Sequence, residues 1–211
     1  MAKNRSPALS YIILILLFFI GCTTAPAPAP APEPKLEPTV TSTTERLKVH
    51  FIKTTRMCDA IFIDLGESEI LIDGGFPNSG VSEYIKDYVD GSLDAMVATH
   101  PHPDHIGGLV KVLQTFHVNE IWVNGDNLKL SPERIRSSPR PEAFSKSVKL
   151  SQIFTSLANK EGGSVHVARR GETMDIGILS FSVLHPDTLL SYSPSQKIGP
   201  IFQTMNNNSI V

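Results

Sequence analysis

The chain has 211 residues and a formal net charge of −2, and its length suggests one domain with additional segments. The slightly acidic balance argues against general binding of a phosphate backbone, which relies on clustered Lys and Arg. The two cysteines are Cys22 and Cys58. Cys22 lies at the end of an apolar leader and Cys58 precedes an apolar strand, so the sequence carries no disulfide framework.

The first 22 residues predict an export signal. Lys3 and Arg5 precede an apolar run over residues 11–20. This run is shorter than a typical membrane-spanning helix. The residues around Cys22, Phe-Ile-Gly-Cys, resemble the lipobox of prokaryotic lipoproteins, which implies cleavage before Cys22 and lipidation of its sulfur. An ordinary signal peptide or an uncleaved anchor is the alternative. We therefore expect the domain outside the cytoplasm, anchored to the membrane or, alternatively, secreted.

Residues 23–45 predict a tether. Ala and Pro alternate from Ala25 to Pro38, a composition that buries no core and favours polyproline II. At about 3.1 Å per residue, the segment from Ala25 to Val40 would reach roughly 50 Å from the membrane. Loss of the leader would remove two of the 19 basic residues and leave 17 against 21 acidic ones, a net charge of −4.

Residues 46–211 carry the pattern of a layered α/β domain. The first part predicts three strands and a helix, at residues 47–52, 60–65, 69–73 and 79–89. Asp73 ends the third strand and is followed by two glycines that free the backbone. A plain turn carboxylate is the alternative to the role that a family resemblance, given below, implies for Asp73.

The most informative stretch is Thr-His-Pro-His-Pro-Asp-His, residues 99–105, which follows a short apolar strand at residues 95–98. A helical pattern with an apolar stripe begins after it, at Ile106. Three imidazoles and a carboxylate within six residues favour a bound cation, and imidazole suits zinc, iron and manganese. Alternate residues of an extended loop point the same way, so the first two ligands can hold one ion while the adjacent last two diverge towards a second. The candidate ligands are His100, His102, Asp104 and His105.

The rest of the chain predicts further strands and a long helix. Strands are expected at residues 118–123, 165–168 and 178–184, and a helix at residues 142–160 with Phe144, Val148, Ile153, Phe154 and Leu157 as packing positions. Between them, residues 125–143 are rich in Pro and Ser and carry Lys129, Arg134, Arg136 and Arg140. These basic residues can hold an anionic substrate or simply form a solvated loop.

The run of residues 99–105 resembles the His-x-His-x-Asp-His signature of the metallo-β-lactamase superfamily. The resemblance implies an αββα sandwich and a hydrolase with one or two divalent ions, zinc or alternatively manganese or iron. It also implies that Asp73 orients a ligand imidazole from behind, and that Asp104 doubles as the catalytic proton acceptor. The chain ends at Val211 as if entering a strand, so we expect only the N-terminal half to two-thirds of such a domain here.

Within the superfamily, the chain resembles the extracellular ComEC-like branch, which is attached to bacterial DNA-uptake channels. The resemblance rests on Leu-Ile-Asp-Gly-Gly at residues 71–75, on the metal run, and on the closing Asn-Asn-Asn-Ser-Ile-Val. Lactamases and thioesterases have a further metal His near this end, whereas this chain has residues Asn206–Asn208, and amides are poor transition-metal ligands beside imidazole. The expected bridging carboxylate would lie beyond Val211. His185 is a weak candidate for an extra ligand.

These resemblances predict a phosphodiesterase or nuclease that uses a metal-activated water. The expected substrate is an anionic polymer, such as DNA or an envelope polymer, or a small molecule, with Arg134, Arg136 and Asn207 as candidate contacts. The membrane is the expected partner, and no obligate protein partner is indicated. The first alternative is an accessory lipoprotein that binds DNA or envelope polymer without efficient catalysis. The second is a hydrolase of lactones, thioesters or β-lactams.

Overall fold

The structure, a computed structural model, describes residues 46–55, 58, 60–126, 128, 130–190 and 197–211. The predicted export signal with Cys22, the predicted tether and Lys129 lie outside the described residues. Within the described part of the chain, no helix is both long enough and apolar enough to cross a membrane.

A six-stranded mixed sheet forms the centre of the domain, and its spatial order follows the chain order. The first three strands are antiparallel, and from the third strand onwards neighbours are parallel. Parallel strands place their carboxyl ends at one edge, where loops can bring side chains together. The strands are β1 Lys48–Phe51, β2 Ile61–Asp64, β3 Glu69–Ile72, β4 Ser92–Ala98, β5 His117–Val123 and β6 Gly162–Val167.

Helices cover one face of this sheet and bury its larger apolar cluster. Residues such as Phe62, Met96 and Ile121 on the sheet pack against Leu109 of the second helix and Phe154 of the fourth. Burial of this apolar area is the main driving force for the assembly of the layers. The helices are α1 Val81–Ile85, α2 Pro103–Thr115, α3 Pro132–Arg136, α4 Pro141–Glu161 and α5 Ile198–Asn207.

A small hairpin covers the opposite face of the sheet. It consists of β7 Thr173–Ile176 and β8 Leu179–Ser182, which pair antiparallel. Met174 and Ile176 of the hairpin join a second apolar cluster with Val97 and Trp122 of the large sheet. The described residues are therefore layered as helices, large sheet and small sheet.

The start of α2 differs from the sequence-based prediction, which placed it at Ile106. The helix begins three residues earlier, at Pro103, with His102 as its N-cap residue. Proline suits the first helical position because its fixed φ is already helical and its missing N–H has no helical partner there. Asp104 and His105 therefore lie in the first turn of a helix, where the prediction had an extended loop.

The end of the chain also differs from the prediction. We expected residues 205–211 to enter a strand, but α5 continues to Asn207 and its buried Ile201 and Met205 pack against Leu128 and Val148. After the helix the chain does become extended, because Ile210 donates to the backbone oxygen of Thr99 and Val211 pairs with the backbone of His185. In α4, Val148 and Phe154 are buried as expected, whereas Ile153 is 39% exposed.

Candidate metal centre

The end of β4 and the start of α2 bring three imidazoles into one cluster at the carboxyl edge of the sheet. His100 and His102 are buried, and Asp104 and His105 are half-buried in the first turn of α2. The ring centroid of His100 lies 4.5 Å from that of His102 and 4.0 Å from that of His105. The strand fixes one end of this segment and the helix the other, so the cluster has little freedom to spread.

Asp73, at the end of β3, holds the cluster from behind. Its Oδ2 lies 2.6 Å from Nδ1 of His105 and accepts a 2.7 Å hydrogen bond from the hydroxyl of Thr99, whose backbone N–H donates to Oδ1 at 2.9 Å. A carboxylate at this distance makes Nδ1 the protonated nitrogen of His105. Coordination by His105 would therefore go through Nε2.

Two nitrogens of the cluster fit a metal ion by their own chemistry. Nε2 of His100 and Nε2 of His102 are buried and have no hydrogen-bond partner, whereas buried polar atoms in proteins normally have one. Burial is the main cause that lowers the pKa of His100 to about 3 and that of His102 to about 4. Both rings are therefore neutral at physiological pH, which is the form that binds metals.

The candidate ligand side chains lie at the carboxyl edge of the sheet, but they do not surround one common position. Among the residues that the structure describes, no three His, Cys, Asp or Glu side chains lie close enough together to hold one ion. The residues present fit a metal through His100 and His102, with Asp104 and His105 beside them. Whether these four divide between two ions, as the sequence analysis expects, stays a prediction.

Helix α5 covers the histidines with residues of one helical face. The ring of Phe202 stacks on His102, with centroids 4.8 Å apart and an interplanar angle of 21°. One turn later, the side chain of Asn206 lies near His100 and His102 and opposes the lowering of both pKa values. The amide does not give either Nε2 a hydrogen bond of good geometry.

Although Asn206 and Asn207 are adjacent in the sequence, their side chains have different surroundings on helix α5. The side chain of Asn207 accepts a 3.2 Å hydrogen bond from Gln203 on an exposed surface. From the run Asn206–Asn208, the sequence analysis chose Asn207 as a substrate contact, whereas the amide that lies beside the imidazoles is that of Asn206. The spacing of four between Phe202 and Asn206 was the available signal, but it can be read only once the segment is known to be helical.

Behind α5, a buried polar network fixes the last residues against the site. Asn208 donates from Nδ2 to Oδ1 of Asp126 at 3.1 Å, and Asn124 donates to Oδ2 of Asp126 and to the backbone oxygen of Asn208. Burial raises the pKa of the Asp126 carboxyl despite these donors. The next residue, Ser209, places its hydroxyl 3.0 Å from Nδ1 of His100.

The other predicted site residues lie on elements outside the segment of residues 99–105. Arg134 and Arg136 belong to the short helix α3, and Arg136 is paired with Glu133 at 3.1 Å in an exposed position. Ile135 between them packs against the same apolar cluster as Phe202. His185 has a buried Nε2 without a hydrogen-bond partner, and its backbone pairs with Val211.

A cavity of about 120 Å³ adjoins the cluster on the side of α4. Its walls are mostly apolar, and His100 and Asp126 stand at its polar edge. A cavity of this size has room for a small group of a substrate rather than for a whole ligand.

Comparisons with known proteins agree with this architecture. The sequence profile of the metallo-beta-lactamase superfamily matches residues 54–188, more than half of the chain. Among curated proteins, none matches the chain significantly.

The solved structures that the chain is similar to include the following three. The metallo-beta-lactamase SMB-1 in complex with mercaptoacetic acid is 18% identical, with a TM-score of 0.41 over 64% of this chain and 49% of that chain. The metallo-beta-lactamase fold protein YhfI from Bacillus subtilis is 17% identical, with a TM-score of 0.41 over 66% and 52%. The superfamily protein ST1585 from Sulfolobus tokodaii is 21% identical, with a TM-score of 0.39 over 64% and 54%. The chain therefore spans about half the length of the solved structures it matches.

Proposed function

The chain belongs to the metallo-beta-lactamase superfamily and has its hydrolase fold, and on that basis we propose that it is a metal-dependent hydrolase of phosphodiester bonds that acts outside the cytoplasm. The observation that carries the proposal is the pair of buried, neutral imidazoles of His100 and His102, whose Nε2 atoms have no hydrogen-bond partner. These nitrogens would hold one divalent ion. Asp104 and His105 would hold a second.

The other residues of the site would have separate roles in catalysis. His100 and His102, with Asp104 and His105, would hold a divalent ion, zinc or alternatively manganese or iron, which would supply an activated water and withdraw charge from phosphoryl oxygens. Asp104 would accept the proton from the attacking water, since it is a half-buried carboxylate beside the ligand rings. Asp73 would keep His105 in the orientation that directs Nε2 towards the ion.

The preference for phosphodiesters rests on the resemblance to the ComEC-like branch and on two features of the site. Asn206 lies beside the histidines in the region where lactamases carry a further metal His. The amino end of α2 faces the same edge, and helix amino ends favour anionic groups. Arg134 and Arg136 of α3 would contact the anionic substrate further out. Lipid on Cys22 would hold the enzyme at the membrane surface.

The test combines metal content with substrate choice. The full chain is purified without chelator beside His102→Ala, metal per chain is measured by elemental mass spectrometry, and hydrolysis of bis(p-nitrophenyl) phosphate is compared with that of a chromogenic β-lactam. We expect one or two ions in the wild type, their loss in the variant, and turnover of the phosphodiester alone. A folded chain that binds no metal, or one that cleaves only the β-lactam, would contradict the proposal.

A second candidate function is an accessory lipoprotein that binds DNA or envelope polymer with little or no catalysis. The observation that favours it is the stacking of Phe202 on His102, which covers one face of a ligand ring. Polymer binding by a folded, metal-free chain would support this function. The hydrolysis of β-lactams, one of the lactone, thioester and β-lactam alternatives, is tested by the β-lactam arm of the same assay.

A further inference from the structure

Two hydroxyl groups contact the same ring nitrogen of His100. Thr99 Oγ1 lies 3.1 Å from Nδ1 of His100, and Ser209 Oγ lies 3.0 Å from the same atom. Thr99 is the neighbour of His100 in the chain, whereas Ser209 comes 109 residues later and follows α5. Each hydroxyl has one hydrogen to donate and can accept with its oxygen.

Both hydroxyl hydrogens are already engaged elsewhere. The hydroxyl of Thr99 donates to Oδ2 of Asp73 at 2.7 Å, a distance at which a carboxylate and a neutral oxygen need a hydrogen between them. The hydroxyl of Ser209 donates to the backbone oxygen of Asn206 at 2.7 Å. Towards His100, therefore, both oxygens can act only as acceptors.

Two acceptors around Nδ1 require that this nitrogen carries the proton. In the opposite tautomer the lone pair of Nδ1 would face two oxygen lone pairs at about 3 Å, which is repulsive. The neutral ring then has its lone pair on Nε2, the buried nitrogen that lacks a hydrogen-bond partner. The ring of His100 is thus prepared to coordinate through Nε2 before any ligand arrives.

We propose that Ser209 is a positioning residue of the site: it accepts from Nδ1 of His100, and together with Thr99 it fixes the tautomer that presents Nε2 to a divalent ion. The inference rests on the proposed metal-dependent function for its consequence, but the tautomer itself is a property of the metal-free protein. Because the Asn124–Asp126–Asn208 network fixes the residue before Ser209, the hydroxyl has a defined place against the ring.

The test measures the tautomer directly, by NMR on the full chain with ¹⁵N-labelled histidine and without metal. His100 is assigned from the signals that disappear in His100→Gln. In the wild type we expect a protonated Nδ1 and an unprotonated Nε2. In Ser209→Ala we expect signals of both tautomers, with zinc affinity in a dye-competition titration reduced about tenfold, the lower end of the range for a group behind a ligand.

The controls separate positioning from general damage. Ser209→Thr restores an acceptor hydroxyl and should restore both readouts, while Ser180→Ala, whose hydroxyl donates to Asp175 on the small sheet, should change neither. If Ser209→Ala does not fold, Ser209→Cys replaces it, since a thiol keeps the size but is a weak acceptor.

Retention of the wild-type tautomer and of zinc affinity in the folded variant would overturn the proposal. A wild type whose tautomer responds to Ser209 but which binds neither zinc nor manganese would leave the positioning role standing and would contradict the proposed function instead.

Discussion

The carboxylate of Asp73 connects the third strand with the metal centre through three hydrogen bonds, two from Thr99 and one with His105. In Asp73→Asn we expect zinc affinity to fall by about 10- to 100-fold, because the amide no longer supplies the charge that holds Nδ1 of His105 protonated. Asn tolerates the positive φ of 55° at this position, so the backbone should stay in place. A dye-competition titration measures the affinity.

Asp175→Asn is the matched control for that change, because Asp175 contacts Ser180 on the far small sheet. An affinity in Asp73→Asn equal to that of this control would show that Asp73 is a plain turn carboxylate. In that case the alternative stated in the sequence analysis, that Asp73 is only a turn residue, would be correct.

A second residue makes stability depend on pH. Burial, helped by the neighbouring Asp94, raises the pKa of Glu69 to about 7. Between its ordinary value near 4.5 and about 7 the folded chain keeps a proton that the unfolded chain releases, so this carboxyl destabilises the fold as pH rises through that interval. We expect Glu69→Gln to be more stable than the wild type at pH 8 by about 1 kcal/mol, a figure reduced for the exposure of the side chain, and nearly equal to it at pH 4.

Urea unfolding at the two pH values measures this difference. Glu67→Gln, two residues away and exposed, should show a much smaller change between pH 4 and pH 8. A Glu69→Gln advantage that is the same at both pH values would contradict the assigned cause.

At the scale of elements, the start of α2 is fitted closely against the loop after β3. A Cβ on Gly108 would lie 2.0 Å from the backbone oxygen of Gly74 and 2.5 Å from Oγ of Ser79. We expect Gly108→Ala to lower the free energy of unfolding by about 2–4 kcal/mol, because neither group can move without displacing the backbone beside Asp73. Denaturant unfolding measures the loss.

Gly199→Ala in α5 is the matched control, since a Cβ there meets nothing within 4 Å. It should be neutral or stabilising by up to about 1 kcal/mol, because Ala has the higher helix propensity. Equal effects of the two substitutions would contradict the close fit of α2.

The sequence was sufficient for elements whose pattern is local. Alternating apolar residues predicted the first strands, and the ligand spacing placed His100 and His102 together at the end of β4. It was insufficient where tertiary contacts decide: the sequence placed the start of α2 at Ile106 instead of Pro103, and it gave no sign that Gly107 and Gly108 pack closely against the loop after β3. The role of Asn206 depends on a helix whose apolar residues find their partners far away in the chain.

At the scale of the whole molecule, the predicted leader would determine the compartment in which the protein works. In cells, we expect the wild type in the membrane fraction and Cys22→Ser in the soluble or secreted fraction, because a lipid chain can attach only to the cysteine sulfur. Fractionation and detection by antibody measure the distribution. Cys58→Ser is the control, since the sulfur of Cys58 contacts Thr54 inside the domain. Identical distributions of both variants and the wild type would contradict lipidation at Cys22.

The contact between Ser209 and His100 also bears on when an ion is acquired. Residues 109 positions apart can meet only after almost the whole described domain has been synthesised and folded. If the predicted signal exports the chain before it folds, the chain would therefore reach its destination with His100 in both tautomers and the site unformed. The ion would then be chosen from the metals present where folding finishes, so the place of folding would set its identity alongside the intrinsic affinity of the ligands.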